Sequence, residues 1–143
     1  MGNVNYALMH TAERQAETTQ DRLKHQLAAL RWRKEVEGTQ ITADARFQTD
    51  RATRAELATL FTNFENGLLD APVAWKAQSG WLMLGQDMLR QVLWLIHAHV
   101  QACFLAEKLL TDQIEAGDIT HGDALPAAFQ DLYRQAREGQ IKT

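Results

Sequence analysis

The sequence predicts an α+β fold: a small antiparallel sheet of two hairpins packed against a long central helix, with an extended N-terminal helix and a short C-terminal helix. Three observations predict it. Residues 85–117 repeat apolar side chains at steps of three and four, the helical period. Two pairs of short alternating runs, at 40–49 and 73–84, are joined by turn residues. The segments between and around them carry helix caps or a single apolar face.

Residues 6–37 read as the first helix, rich in Ala, Gln, Glu and Arg. Between Thr11 and Asp21 its only apolar groups are alanines, whereas Leu23, Leu27 and Leu30 make a narrow stripe with coiled-coil spacing. A polar helix standing alone is marginal, which predicts self-association through the first half, with fraying as the alternative. Gly38 ends this helix. Gln40-Ile41-Thr42 and Arg46-Phe47-Gln48-Thr49 then flank Ala43-Asp44-Ala45 as a hairpin. Asp50 caps the next helix, where Leu57, Leu60, Phe61 and Phe64 share a face and Asn66-Gly67 is the stop.

After a loop at 68–72, the runs 73–77 and 81–84 are joined by Gln78-Ser79-Gly80 as a second hairpin. Two-stranded hairpins are weak alone, so all four strands are expected in one sheet. The central helix follows at once. Gly85 is its permissive N-cap, Asp87 places negative charge in its first turn, and Gly117 stops it. A polar loop at 118–124 leads to a last helix that starts at Pro126 and runs to about 137. Leu125, Phe129, Leu132 and Tyr133 form its inner face, and the tail 139–143 is expected to be loose. Three parts result: an N-terminal helical, oligomerising extension at 1–26, an α+β domain at 27–117 and a C-terminal helical extension at 118–143.

The composition narrows the function classes. At 143 residues, 45% apolar and 23% charged, the chain can bury a core without disulfides. A net charge of −3 provides no global field toward nucleic acid or an anionic membrane. The N-terminus has neither the basic nor the apolar region of a secretory signal. The apolar run 88–105 is interrupted by Arg90, Gln91, His97, His99 and Gln101, the pattern of a core helix rather than a membrane span.

Candidate chemistry is sparse. His97 and His99 are two apart on a helix and point to nearly opposite sides. His99, Cys103 and Glu107 have helical spacing, but three ligands strung over two turns do not converge well on one ion. Cys103, the only cysteine, sits among apolar neighbours where burial raises a thiol pKa, so it reads as a small hydrophobe before it reads as a nucleophile. No nucleophile elbow, phosphate loop or helical zinc motif is present. Asp44, Asp50 and Asp70 read as turn and cap residues. Arg31-Trp32-Arg33-Lys34 is a basic run, yet residues 1–38 carry six positive and five negative side chains, a poor footprint for nucleic acid. Trp32 is expected to pack at the helix end with the arginines solvated. Trp75 and Trp81 are expected to pack across the second hairpin, with a ligand platform as the alternative.

Four runs occur in order: Arg31-Trp32-Arg33-Lys34-Glu35-Val36-Glu37-Gly38; Phe47-Gln48-Thr49-Asp50-Arg51; Trp75-Lys76 with Gly80-Trp81; and His99-Val100-Gln101-Ala102-Cys103-Phe104-Leu105-Ala106-Glu107. Together they resemble an uncharacterised domain found in tail-fibre and tail-assembly proteins of tailed phages and prophages. The chain departs from that family in its Ala43-Asp44-Ala45 turn, where an Asn-Gly type turn is usual, and in the added residues 118–143. The resemblance implies a non-enzymatic tail component or assembly accessory, a homo-oligomer contacting tail-fibre or baseplate proteins, with no cofactor, nucleic acid or membrane. It places the chain in the bacterial cytoplasm during assembly, with the virion tail as a further location. It transfers no catalytic residue. His99, Gln101, Cys103 and Glu107 are then framework, a polar stripe that fixes the hairpins by hydrogen bonds, and Lys76 and Glu107 are expected to pair. The rival classes are a peptide- or glycan-binding module using Trp75 and Trp81, and an enzyme using Cys103 and His99.

Overall fold

The computed structural model describes residues 2–139, with side chains from Thr11 onward. The expected loose tail therefore lies outside the described residues from position 140. The chain runs α1 (Gly2–Val36), β1 (Thr39–Gln40), β2 (Arg46–Phe47), α2 (Arg51–Glu65), β3 (Val73–Ala77), β4 (Gly80–Leu84), α3 (Gln86–Glu115), a 3-10 turn (Gly122–Ala124) and α4 (Leu125–Arg137). The α+β class and the long central helix match the expectation.

α3 is the spine, and its two halves serve two cores. Leu89, Val92, Ile96 and Val100 face Phe47, Leu57, Phe64 and Leu84 from the hairpins and α2. One turn further on, Cys103, Ala106, Leu110 and Ile114 face Leu23 and Leu27 of α1 and Leu125 and Phe129 of α4. Apolar positions recurring at three and four residues thus cover α3 on more than one side, as its wide apolar stripe requires.

The leucines of the coiled-coil stripe are used inside the chain. Leu23 and Leu27 are buried, and Leu30 packs against the same cluster. They do not form a free seam for a second copy. α1 runs antiparallel to α3, with Lys24 Nζ 2.8 Å from Glu115 Oε1 and Arg31 Nε 3.3 Å from Glu107 Oε2. At a rise of about 1.5 Å per residue, the part of α1 before Thr19 runs past the end of α3. Residues 11–18 are accordingly exposed. The boundaries at 26/27 and 117/118 fall inside one packed unit, since α1, α3 and α4 share a core.

Both hairpins form, but they stay separate two-stranded sheets instead of merging into one. The turn of the second is bonded to the first: Ser79 Oγ accepts the Arg46 N–H at 2.9 Å, and Ser79 N–H donates to the Arg46 carbonyl at 3.3 Å. Packing of both hairpins on α3 and α2, not strand pairing between them, supplies their stability. Gly38 turns the chain out of α1 with φ +101°, and a Cβ there would meet the Phe47 carbonyl oxygen at 2.9 Å. Asp50 caps α2 through Thr53, whose N–H it accepts at 3.1 Å and whose hydroxyl it accepts at 2.6 Å.

Candidate functional site

Three of the four motif runs converge where the C-terminal end of α1 crosses the middle of α3 and the N-terminus of α2; the Trp75-Lys76 and Gly80-Trp81 run stays on the second hairpin. Glu35 stands at the crossing with no exposed surface. Arg31 Nη1 lies 3.2 Å from Glu35 Oε2, Arg54 Nη2 lies 3.6 Å from Oε1, and Arg51 Nε approaches Oε2 at 4.0 Å. The Arg31 guanidinium also meets Glu107 Oε2 and covers the Phe104 ring at 4.8 Å.

Local sequence explains the arrangement. Glu35 follows Arg31 by four residues, one turn on the same helix face. Arg51 and Arg54 open α2, which has no acidic residue in its first turn, so two cations sit at the positive end of a helix. The Glu35 carboxylate offsets that cost. Three guanidinium groups against two carboxylates leave the crossing net positive. Glu35 Oε1 and Arg54 Nε are buried there without hydrogen-bond partners. A shallow cleft of about 470 Å³ opens beside them, lined by Glu35, Arg51, Arg54, Ala55 and Phe104.

His99 and Cys103 lie deeper on the same stretch of α3, and both are buried. His99 Nε2 is 3.0 Å from the Lys34 carbonyl oxygen, which can only accept, so Nε2 carries the proton. Nδ1 is then the acceptor for the Tyr133 hydroxyl at 2.6 Å. Burial lowers the His99 pKa, against the opposing pull of the hydrogen bonds the ring makes to the backbone at Lys34 and Glu35. Burial also pushes the Cys103 thiol up to about 12 and the Tyr133 phenol up to about 12. A thiol of that kind is not a thiolate near neutral pH, and the neighbouring imidazole has both nitrogens engaged. The Thr53 hydroxyl bond holds the Asp50 carboxyl below its usual range.

Several expectations are corrected. Lys76 and Glu107 do not pair, because Glu107 meets Arg31 while the Lys76 ammonium sits over the Trp81 ring at 5.9 Å. The polar stripe on α3 fastens helices rather than hairpins, and Gln101 is exposed to solvent. Trp75 and Trp81 form no joint platform. Trp75 is paired with Leu82 and Lys76 with Trp81, so the two indoles stand on opposite faces of the hairpin. Trp75 packs on the core and Trp81 is 71% exposed, beside the close of the turn at Gly80. Trp32 and Arg31 exchange their expected places, since Trp32 is 55% exposed while Arg31 is half-buried and turned toward Glu35 and Glu107.

Sequence reasoning missed Glu35, Arg54 and Tyr133 as polar partners. A signal for the first two was available: an Arg-x-x-x-Glu pair at the end of one helix, and two arginines in the opening of another whose first turn holds no acid beyond the Asp50 cap. Tyr133 carried no such signal, because its position on the inner face of α4 accounted for it as packing.

Among the described residues no helix is long and apolar enough to cross a membrane. No curated protein and no solved structure matches the chain. A family model described as a domain of unknown function, DUF4376, matches residues 18–132, from within α1 to within α4 and including the whole crossing. On that match the chain belongs to the DUF4376 family.

Proposed function

We propose that this protein is a non-enzymatic accessory of phage or prophage tail assembly that works by contact with tail-fibre or baseplate proteins. The tail role rests on the motif resemblance: the Arg31–Gly38 run, the Thr49-Asp50 helix start, Trp75-Lys76 with Gly80-Trp81, and the run from His99 to Glu107. The contact mechanism rests on one observation, the exposure of residues 11–18 on a helix that outreaches its own core. A polar helix of that kind gains stability from a partner. In this reading the exposed start of α1 docks, while the rest of α1 packs with the hairpins, α2, α3 and α4 as the body behind it. The side chains with catalytic potential, His99 and Cys103, are consumed in packing and hydrogen bonds.

The test is co-purification from cells producing tailed phage. The wild-type chain is expected to retain tail-fibre or baseplate proteins, and an Ala12→Glu, Ala16→Glu double variant is expected to lose them with an unchanged melting temperature. Retention by the variant, or capture of no tail protein by the wild type, overturns the proposal. Light scattering on the same pair reads self-association through this segment.

A further inference from the structure

We propose that the free edge of β4 pairs with β4 of a second copy of this chain, joining two hairpins into one four-stranded antiparallel sheet. The ladder register fixes which groups are available. Ala77 and Gly80 close a two-residue turn as a hydrogen-bonded pair, so Trp75–Leu82 and Val73–Leu84 are hydrogen-bonded pairs as well. Trp81 and Met83 therefore turn their N–H and C=O groups away from β3. Among the described residues no strand pairs with that side.

The two edges of the hairpin differ. The β3 edge carries the charge of Lys76, a common guard against unwanted pairing. β4 reads Gly-Trp-Leu-Met-Leu, with no charge, proline or bulge. Its outward side chains are large and apolar, with Trp81 71% exposed and Met83 60% exposed. An uncharged strand offers nothing to select a charged partner and nothing to repel its own copy.

Antiparallel pairing about a twofold axis at Leu82 sets Trp81 opposite Met83 of the second copy, and Met83 opposite Trp81 of the second copy. In that register all four outward backbone groups of each strand find partners. Each indole meets a thioether across the strands, a favourable sulfur–aromatic contact. The interface is isologous and closes as a dimer. This surface is separate from the exposed start of α1.

Sedimentation equilibrium on the full chain, with amide hydrogen exchange at Trp81 and Met83, tests the proposal. A dimer is expected, with both amides exchanging more slowly as concentration rises. Met83→Pro removes an outward N–H that the hairpin's own ladder does not use, and Trp81→Glu places like charges across the axis. Each is expected to weaken the dimer about tenfold or more through lost interchain bonds or repulsion. Circular dichroism checks that the variants keep their fold. A chain that stays monomeric overturns the proposal, as does a dimer unmoved by both substitutions. Concentration-independent exchange at the two amides, which a dimer formed through α1 would give, overturns it too.

Discussion

The Tyr133 hydroxyl on α4 lies 2.6 Å from His99 Nδ1 on α3, and the opposite ring nitrogen reaches the Lys34 carbonyl oxygen of α1 at 3.0 Å. One neutral imidazole therefore joins three helices. The Lys34 ammonium closes the arrangement from above, 4.5 Å from the Tyr133 ring centroid. Both partners of His99 are buried or half-buried, so neither bond can be replaced by bulk water without opening the helix junction.

Tyr133→Phe is expected to cost about 1–3 kcal/mol, the penalty for leaving a buried acceptor unpaired. The pH dependence has a definite sign. The folded pKa of His99 lies below 6.5, so below pH 6.5 the unfolded chain takes up a proton that the native chain refuses. Stability is then lost as pH falls from 6.5 toward the folded pKa, by at most about 1.4 kcal/mol per unit. His99→Leu is expected to flatten that part of the profile. Urea titrations between pH 7.5 and 5 check both expectations.

Glu35→Gln is expected to cost about 3–5 kcal/mol, because it leaves guanidinium groups near a buried neutral amide. Arg51→Ala should change stability by less than about 1 kcal/mol, since the Arg51 side chain is 74% exposed and 4.0 Å away. Chemical denaturation of the two variants distinguishes an anchor from a peripheral charge. Equal effects would contradict the assignment of Glu35 as the centre of the cluster.

Cys103 should resist thiol reagents in the native state. With its thiol buried and pushed up to about 12, labelling has to wait for local opening. The native rate at pH 8 is expected to be about a hundredfold or more below the rate in denaturant. Stoichiometric labelling within the mixing time would contradict the burial.

Leu27→Ala should cost about 2–5 kcal/mol, as expected for a fully buried leucine. Ala16→Glu, about three turns earlier on the same helix, should stay within about 0.5 kcal/mol. Thermal melts at low concentration separate the part of α1 that belongs to the core from the part that leaves it.

Much of this was legible before any coordinates. The caps at Asp50 and Gly85, the stops at Gly67 and Gly117, the existence of both hairpins and the apolar faces of α2, α3 and α4 follow from interactions within a few residues of chain. The site was half legible. His99, Cys103 and Glu107 were singled out because they share a helical spacing on α3, and Trp81 because it is a large aromatic beside a turn. Their partners were not, because Glu107 meets a residue 76 positions away and His99 meets one 65 away and another 34 away. Lys76 illustrates the difficulty: a motif made it a plausible mate for Glu107, while cross-strand register gave it to Trp81.

Element type and boundaries are written locally, in period, capping and turn chemistry, and those can be read along one dimension. Which face meets which depends on the way α3 divides its surface between two cores. That division sent Leu23, Leu27 and Arg31 inward and left Trp32, Trp81 and residues 11–18 facing outward. Charge pairing at Glu35 is likewise a product of the crossing of α1 over α2 and α3. A carboxylate four residues from one arginine is ordinary on a helix surface, and only the packed fold brings two more to it and removes the water.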